Sequence, residues 1–255
     1  MWPYGIRVSA PRGEDGQLLP LFPLSTLLTP GMPLSLHVFE PRYRRLVADL
    51  LSDGNPQAPV FGVVALRAGW EVGDVQDLHR IGTAARVTDV LPLADGRCNL
   101  AAIGERRFEI REVDTDSRPY LQARVHWLTE SDGELSEALV RRARLAVRRH
   151  RQALALLRVD YREAEFADRG ADDAVEEASA EDADVAAGIS AAEVASRLSY
   201  AVAQQSWVPL ADRQQVLAAP DTASRLRIAC SVLRRETELL VQLHAVPVGA
   251  AAFRG

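Results

Sequence analysis

Residues 19–47 read LPLFPLSTLLTPGMPLSLHVFEPRYRRLV, and this stretch sets the architecture of the first half of the chain. Two short apolar runs, 18–24 and 33–39, predict β-strands, and the Thr-Pro-Gly sequence at 29–31 supplies the turn between them. A helix is predicted to begin at Pro41, because proline suits the first helical position. Its apolar stripe follows helical spacing and consists of Tyr43, Leu46, Val47, Leu50 and Leu51.

Further strand-like segments follow this helix, which is predicted to end at the cluster of turn formers at 52–56. Asp95 and Gly96 give a hairpin turn signal between two of these segments. Short strands at this spacing, separated by Gly, Pro and Asp, predict a small barrel or curled sheet rather than alternating β and α units. The strands are predicted at 60–66, 80–93, 97–114 and 120–128.

The second half of the chain changes to a helical period. A long helix is predicted over 134–158, where apolar side chains form one stripe and arginines fill the opposite face. Ser190 and Glu193 match a capping box that opens the next helix. A short helix is predicted around 212–217, and Asp221 is predicted to cap a long final helix. This half therefore predicts a helical bundle.

The change of period also predicts the domain boundaries. We expect an N-terminal extension at 1–17, a β-barrel domain at 18–129, a helical bundle domain at 130–245 and a tail at 246–255. Within the bundle, residues 160–189 are strongly acidic and include few apolar residues larger than Ala. Such a stretch cannot offset the entropy of ordering itself, which predicts a solvated, mobile loop. The alternative is that it folds over the arginine face of the preceding helix.

The composition excludes several classes of enzyme. The chain has 255 residues and a net charge of −5, and its 30 Lys+Arg positions are all Arg. Without Lys it cannot hold a P-loop phosphate site, a Schiff-base amine or a Ser–Lys dyad. Codon usage in GC-rich DNA accounts for the missing Lys. The mild acidity also argues against a dedicated nucleic-acid binder.

The reactive side chains form no recognisable catalytic motif. The five histidines, at 37, 79, 126, 150 and 244, are not spaced as metal ligands, so we predict neither a metal nor a cofactor. Cys98 and Cys230 lie far apart in the sequence and are predicted to be free thiols in a reducing compartment. We see no signal peptide and no apolar run long enough to span a bilayer, and we therefore expect a cytoplasmic protein.

Two features of the sequence are candidate binding surfaces. Trp70 lies in a Gly-flanked loop, where a large exposed aromatic would suit a binding surface, although it could equally anchor the loop in the core. The arginine face of the long helix could bind an anion or could simply be solvated. Its candidate anion-binding residues are Arg141, Arg144, Arg148 and Arg151.

Several motifs occur in a characteristic order. FEPRY at 39–43 precedes IGTAARV at 81–87 and IGERRFEI at 103–110. Together they resemble the N-terminal substrate-binding domain of the Lon protease family. Residues 198–240 resemble the helical half of that domain through Gln215, Leu217, Asp221, Arg225, Leu226 and Glu236. The resemblance implies a PUA-like β-barrel with one inserted helix, followed by an α-helical bundle.

The resemblance also implies a function. It predicts a non-enzymatic module that recognises protein or peptide segments and is linked to protein quality control or proteolysis. A full-length Lon carries an ATPase and a Ser–Lys peptidase after this region; here the sequence ends at Gly255 and has no Lys, so we expect neither. The residues we expect to contact a peptide are Met32, Tyr43 and Trp70. Because PUA-like barrels also occur in RNA-associated proteins, the alternative is RNA or nucleotide binding.

Overall fold

The computed structural model describes residues 16–52, 59–68, 77–165, 190–205 and 207–243. The chain divides into two compact units, Met1–Thr129 (unit 1) and Glu130–Gly255 (unit 2). Within the described residues, unit 1 contains the strands and one helix, and unit 2 contains four helices. The predicted α+β class, with strands preceding helices, is confirmed.

Unit 1 is built around a seven-stranded sheet. The strand predictions hold to within a few residues, whereas the short strand β4 is not predicted from the sequence. The elements of unit 1 are β1 (Gln17–Leu24), β2 (Pro33–Val38), α1 (Pro41–Ser52), β3 (Val60–Ala68), β4 (Asp77–Leu78), β5 (Ile81–Pro92), β6 (Cys98–Asp114) and β7 (Gln122–Trp127).

The strand pairings form a closed ring, because β1 is hydrogen-bonded to a neighbouring strand on each of its two edges. The first half of β1 pairs antiparallel with β7, and its second half pairs parallel with β3. Between these two neighbours the order is β7-β6-β5-β3, with every pairing antiparallel. The predicted hairpin connects β5 and β6, where Gly96 has φ +79°, a conformation that favours glycine.

β2 lies outside this ring of pairings. It pairs antiparallel with the first part of β6, from Pro33 opposite Ile103 to Val38 opposite Cys98. Among the described strands β6 is its one hydrogen-bonded neighbour. The other edge of β2 therefore presents backbone N–H and C=O groups that are not paired within the sheet.

Both faces of β1 are buried, because its side chains alternate between two apolar clusters. Leu19 and Leu21 pack with Phe108, Val125 and Trp127. The other face of β1 joins the side of the sheet on which α1 packs. The second cluster is larger and includes Phe22, Leu24, Val38, Tyr43, Leu46, Val47, Phe61, Leu100 and Tyr120.

Gly104 of β6 sits where the β1–β2 turn crosses the sheet. The Gly31 N–H donates to the Gly104 carbonyl over 2.8 Å, and the Gly104 N–H donates to the Met32 carbonyl over 2.9 Å. A Cβ at position 104 would collide with the Thr29 carbonyl oxygen. The glycine of the IGERRFEI motif is therefore required for the close approach of two backbone segments.

Unit 2 consists of four described helices. One prediction is corrected here: α2 extends beyond residue 158 to Glu165, so residues 160–165 are helical rather than part of an acidic loop. The rest of the acidic stretch, 166–189, lies outside the described residues. The helices are α2 (Glu137–Glu165), α3 (Ala191–Tyr200), α4 (Leu210–Ala218) and α5 (Thr222–Leu243).

The first turn of α5 satisfies each of its backbone N–H groups. Thr222 and Ala223 donate to the carbonyls of Ser131 and Asp132 over 2.9 and 3.1 Å. The Ser224 N–H donates to Asp221 Oδ1 over 2.7 Å, which confirms Asp221 as the predicted cap. The predicted cap of α3 is confirmed as well, because the Ser190 side chain accepts from the Glu193 N–H.

None of the helices in the described part of the chain combines the length and apolar character needed to cross a membrane.

Candidate functional site

The three residues predicted to contact a peptide do not lie together. Tyr43 is 4% exposed and stacks on Phe22, with 4.0 Å between the ring centroids, so it belongs to the core. Met32 is half-buried immediately before β2 and packs against the same core. Trp70 falls in 69–76, outside the described residues. The described surface around Tyr43 is therefore the part of the predicted site whose geometry the structure shows.

A small groove lies directly over Tyr43. It has a volume of about 110 Å³ and runs between the end of β1, the end of β2 and the first turn of α1. Phe22 and Tyr43 contribute buried aromatic surface to it, and Leu36 is half-buried. The groove is lined by Phe22, Pro23, Leu24, Leu36, His37, Val38, Phe39, Glu40 and Tyr43.

Phe39 stands at the rim of this groove and is 52% exposed. Side chains alternate along a strand, so Phe39 shares the face of His37, and their ring centroids are 6.3 Å apart. His37 lies opposite Asn99 of β6, and Asn99 lies opposite Leu91 of β5, which is 58% exposed. We call this row of four residues, Phe39, His37, Asn99 and Leu91, the Phe39 face.

A chain of polar contacts fixes the centre of the Phe39 face. Arg97 Nη1 lies 3.3 Å from His37 Nε2, and His37 Nδ1 lies 2.8 Å from Asn99 Oδ1. Because a guanidinium can only donate, Nε2 of His37 accepts, and Nδ1 carries the proton donated to Asn99. The opposite end of the chain is anchored by Asp95, which Arg97 Nε contacts over 2.6 Å.

Electrostatics hold Asp95 as a carboxylate. The backbone N–H of Arg97, followed by the Arg97 side chain, lowers the pKa of Asp95 below its ordinary value. The carboxylate therefore remains charged and keeps Arg97 directed at His37. This arrangement orders an exposed surface that has an apolar residue at each end and polar groups between them.

The charged residues of the FEPRY motif, Glu40 and Arg42, contact each other at the first turn of α1. Arg42 Nη2 contacts Glu40 Oε2 over 2.9 Å, and both side chains are largely buried. The Arg42 guanidinium also lies 4.7 Å from the centre of the Tyr43 ring. The motif thus positions the aromatic floor of the groove, and its Phe39 and Pro41 are exposed to solvent.

The predicted anion-binding arginines already have partners. Arg141 contacts Glu137 one turn earlier on α2, over 3.4 Å, at a well-exposed position. The others on this face, Arg144, Arg148 and Arg151, also take part in interactions and are not free cations. Anion binding by this face stays a prediction.

Both cysteines are free thiols in the structure, as predicted. Burial raises the pKa of the Cys98 and Cys230 thiols, which disfavours the nucleophilic thiolate form. Within the ranges that the structure describes, His, Cys, Asp and Glu form no group of three or more able to hold a metal ion.

Sequence reasoning missed Phe39 and Leu91 as candidate contact residues. The signal for Phe39 was present, because Leu34, Leu36 and Val38 alternate with Ser35 and His37 and so place residue 39 on the polar face. Leu91 gave no comparable signal. Its position beside Asn99 depends on the register of β5 against β6, which contains irregularities.

Comparison with known proteins identifies the family. A family model described as the ATP-dependent protease La (LON) substrate-binding domain matches residues 18–235. Lon protease 2 of Sorangium cellulosum is 31% identical over 235 residues, which cover 90% of this chain and 26% of that protein. The Lon protease of Flavobacterium johnsoniae is 32% identical over 114 residues, covering 44% of this chain and 13% of that protein. The chain thus spans about a quarter or less of these relatives.

Two solved structures have a similar fold. A Lon N-terminal domain protein from Xanthomonas campestris matches with a TM-score of 0.52 and 24% identity, over 83% of this chain and 95% of that one. The N-terminal domain of the Mycobacterium avium complex Lon protease matches with a TM-score of 0.53 and 18% identity, over 86% and 98%. The resemblance carried by the sequence motifs is therefore confirmed, and the chain belongs to the Lon substrate-binding domain family.

Proposed function

We propose that these 255 residues form a non-enzymatic recognition module that binds exposed, extended segments of other proteins at the Phe39 face. Family membership supports recognition of protein substrates. The observation that carries the proposal is the half-exposed aromatic side chain of Phe39 at the end of β2, beside the open edge of that strand. Leu91, also half-exposed, lies on the same face but two strands away, on β5. An exposed aromatic next to an unpaired strand edge is a common arrangement for binding extended peptides.

The open edge of β2 would supply the sequence-independent part of the affinity. Alternate residues of β2 direct their N–H and C=O groups away from β6, where an added strand can pair with them. Apolar side chains of the bound segment would then cover Phe39. Covering the exposed half of Phe39 removes roughly 100 Å² from water, which is worth about 2 kcal/mol.

We further propose that the closed ring of pairings in unit 1 is a PUA-like β-barrel at 18–129, followed by a helical bundle domain at 130–245. The parallel β1–β3 pairing supports the barrel, because it gives both long edges of β1 a neighbour. Residues 1–17 and 246–255 would be an extension and a tail to these domains.

We also propose that the module acts in protein quality control, presenting captured segments to a protease, in the cytoplasm. The family supports the link to proteolysis. The two free thiols suit a reducing compartment. The chain contains no Lys, so these residues cannot themselves contribute a Walker lysine or a Ser–Lys dyad.

The test is calorimetric titration with a reduced and alkylated model protein that stays unfolded. We expect a Kd on the order of micromolar for the natural chain. Phe39→Asp should weaken binding roughly thirtyfold, because it removes about 2 kcal/mol of apolar contact and places a charge at the centre of the site. The position is exposed, so the fold should survive the substitution.

The matched control is Leu51→Asp. Leu51 is 55% exposed, like Phe39, but lies at the far end of α1, away from the Phe39 face. The control should bind like the natural chain. Equal loss in both variants, or no binding by the folded natural chain, would contradict the proposal. Binding whose affinity falls steeply with salt and is independent of Phe39 would instead support an anionic ligand such as RNA.

A further inference from the structure

Unit 2 contains a second surface, a groove between α2 and α5. Its volume is about 590 Å³, and its floor is made of apolar and small side chains on the two helices. Leu139 and Leu233 are buried there, whereas Leu145 is 47% exposed. We call it the α2–α5 groove; it is lined by Leu139, Arg142, Leu145, Ala146, Arg149, Arg227, Cys230, Ser231, Leu233, Arg234, Thr237 and Glu238.

The apolar strip continues past the end of the groove. Val241 follows Arg234 by seven residues, which places it on the same face of α5, and it is 60% exposed. Leu145 faces the groove from α2. Two large aliphatic side chains are therefore left open to water along a surface between two helices. Such surfaces are normally covered by a partner.

The rim of the groove is strongly positive. It carries four arginines against one acidic residue, Glu238. Arg227 contacts Glu134 over 3.3 Å, and Arg234 contacts Glu238 over a long 4.0 Å. Arg142 and Arg149 have no ion pair within the described part of the chain. An occupant that places acidic side chains at this rim would supply the counter-charges that are missing.

We propose that the α2–α5 groove docks an amphipathic helix of a partner protein, with large aliphatic residues on one face and Asp or Glu along its edges. A third helix packs naturally into the groove between two helices that lie side by side. From Leu139 to Arg149 the groove spans ten residues of α2, or about 15 Å, which corresponds to about three turns of the docked helix.

The observations favour this occupant over two others. Nucleic acid would satisfy the arginines, but the lining residues include no aromatic side chain on which a base could stack. The chain's own stretch at 166–189 is acidic, yet it has few apolar residues larger than Ala to cover the floor. The site also lies in unit 2, so it does not depend on the proposed function of the Phe39 face.

The probe is a fluorescein-labelled 18-residue synthetic helix with Leu on one face and Glu on the flanks. Two reference peptides have the same composition in scrambled order, or Lys in place of every Glu. Fluorescence anisotropy with the full chain should show saturable binding of the first peptide. The scrambled and Lys peptides should bind at least tenfold more weakly. Failure of the first peptide to bind would overturn the proposal.

Paired charge reversals on α2 locate the site. Arg142→Glu with Arg149→Glu alters the rim and should weaken binding of the acidic peptide at least tenfold. Arg141→Glu with Arg148→Glu makes the same change of charge about 100° further round the same helix, at positions that do not line the groove, and should leave binding within about twofold. Equal losses in the two double variants would indicate attraction to net charge alone and would overturn the proposal.

Cys230 offers a readout within the groove itself. It lines the floor and is partly exposed, whereas Cys98 is buried in unit 1. Alkylation at pH 8.5, followed by mass spectrometry at each cysteine, should be slowed at Cys230 by the acidic peptide and unchanged at Cys98. Bound peptide that leaves the alkylation rate of Cys230 unchanged would place it elsewhere and overturn the proposal.

Discussion

Arg225 of α5 is fully buried and joins its own helix to α3 and to the segment at Glu130. Its Nε donates to Ser199 Oγ over 2.9 Å, and its Nη2 contacts Thr222 Oγ1 over 3.0 Å and Glu130 Oε2 over 2.9 Å. The guanidinium also lies 4.4 Å from the centre of the Tyr200 ring. Only a planar fork can make these contacts together, so a lysine ammonium would not replace it. This geometry explains the arginine of the helical motif.

Arg225→Lys should therefore lower the free energy of unfolding by about 2 kcal/mol or more, because buried hydrogen bonds to a charged group are lost. Urea denaturation followed by far-ultraviolet circular dichroism measures the change. The control is Arg227→Lys, two residues away, where the arginine is 49% exposed and contacts Glu134. That exposed pair should contribute less than about 1 kcal/mol. Similar effects of the two substitutions would contradict the role of Arg225.

His150 makes the stability of unit 2 depend on pH. It is 2% exposed, stacks on Trp207 with ring centroids 4.2 Å apart, and hydrogen-bonds Thr237 over 3.1 Å. Burial lowers the pKa of His150 below its ordinary value of 6.5, although Glu236 opposes the shift. Protonation therefore favours the unfolded chain. The stabilisation is present above pH 6.5 and is lost as the pH falls below it.

His150→Phe keeps a ring against Trp207 and removes the titration. We expect its unfolding free energy to fall less steeply between pH 7 and 5 than that of the natural chain. The difference in slope should correspond to at most one proton taken up on unfolding. Burial also lowers the pKa of His79, with Arg67 contributing, so a weaker dependence on pH should persist in the variant. An unchanged slope would show that His150 is not the group responsible.

At the scale of elements, Asp221 caps the N-terminus of α5, as the sequence predicts. Its carboxylate accepts the Ser224 N–H, and this backbone hydrogen bond lowers the pKa of Asp221. Asp221→Ala should cost about 1 kcal/mol of stability, and Asp221→Asn should restore most of it, because the amide oxygen can accept the same hydrogen bond. Thermal unfolding of both variants checks this; an Asn variant as unstable as the Ala variant would contradict the cap.

The same carboxylate predicts a second dependence on pH. Because the folded pKa of Asp221 is depressed, its stabilisation is present above the unfolded value of 3.8 and is lost as the pH falls through the folded pKa. The Asn variant should lack this part of the acid sensitivity. Comparing the unfolding of the Asn variant and the natural chain between pH 5 and 2.5 isolates this part, because both proteins retain His150.

Helix ends and turns that depend on a local sequence of four or five residues could be predicted. The Asp95–Gly96 turn, the start of α1 and the caps at Ser190 and Asp221 all belong to this group. The end of α2 could not, because the acidic composition suggested a loop. Extending an existing helix requires no new nucleation, and residues 161–165 (YREAE) are acceptable helix formers, so the helix continues to Glu165.

The candidate sites were less predictable than the elements. The Phe39 face requires His37 to meet Asn99, 62 positions later, and Asn99 to meet Leu91, and register is not encoded locally. The arginines of α2 could be assigned to the helix but not divided between the groove and the opposite face. That division depends on where α5 packs, which is a tertiary property.

At the scale of the whole molecule, each unit has its own apolar core. Both clusters in unit 1 contain residues from that unit alone, and the same is true of the clusters in unit 2. A fragment of residues 1–129 should therefore unfold in one cooperative urea transition and bind the unfolded model protein within about twofold of the full chain. Trp127, 6% exposed, should report the transition by fluorescence.

The matching fragment with Phe39→Asp should fold and bind roughly thirtyfold more weakly. A fragment with broad, non-cooperative unfolding would contradict the independence of unit 1. A folded fragment that does not bind, while the full chain does, would show that unit 2 contributes to the peptide site.

The two-sided pairing of β1 has a consequence for synthesis of the chain. β1 is translated before its antiparallel partner β7, which ends at Trp127, about 100 residues later. At about 5–20 residues per second, the ribosome delivers that partner roughly 5–20 s after β1. During this interval Leu19 and Leu21 have no completed core to enter. Under the proposed function, the nascent β1 strand is thus itself, for those seconds, an exposed apolar segment of the kind that the folded module would bind.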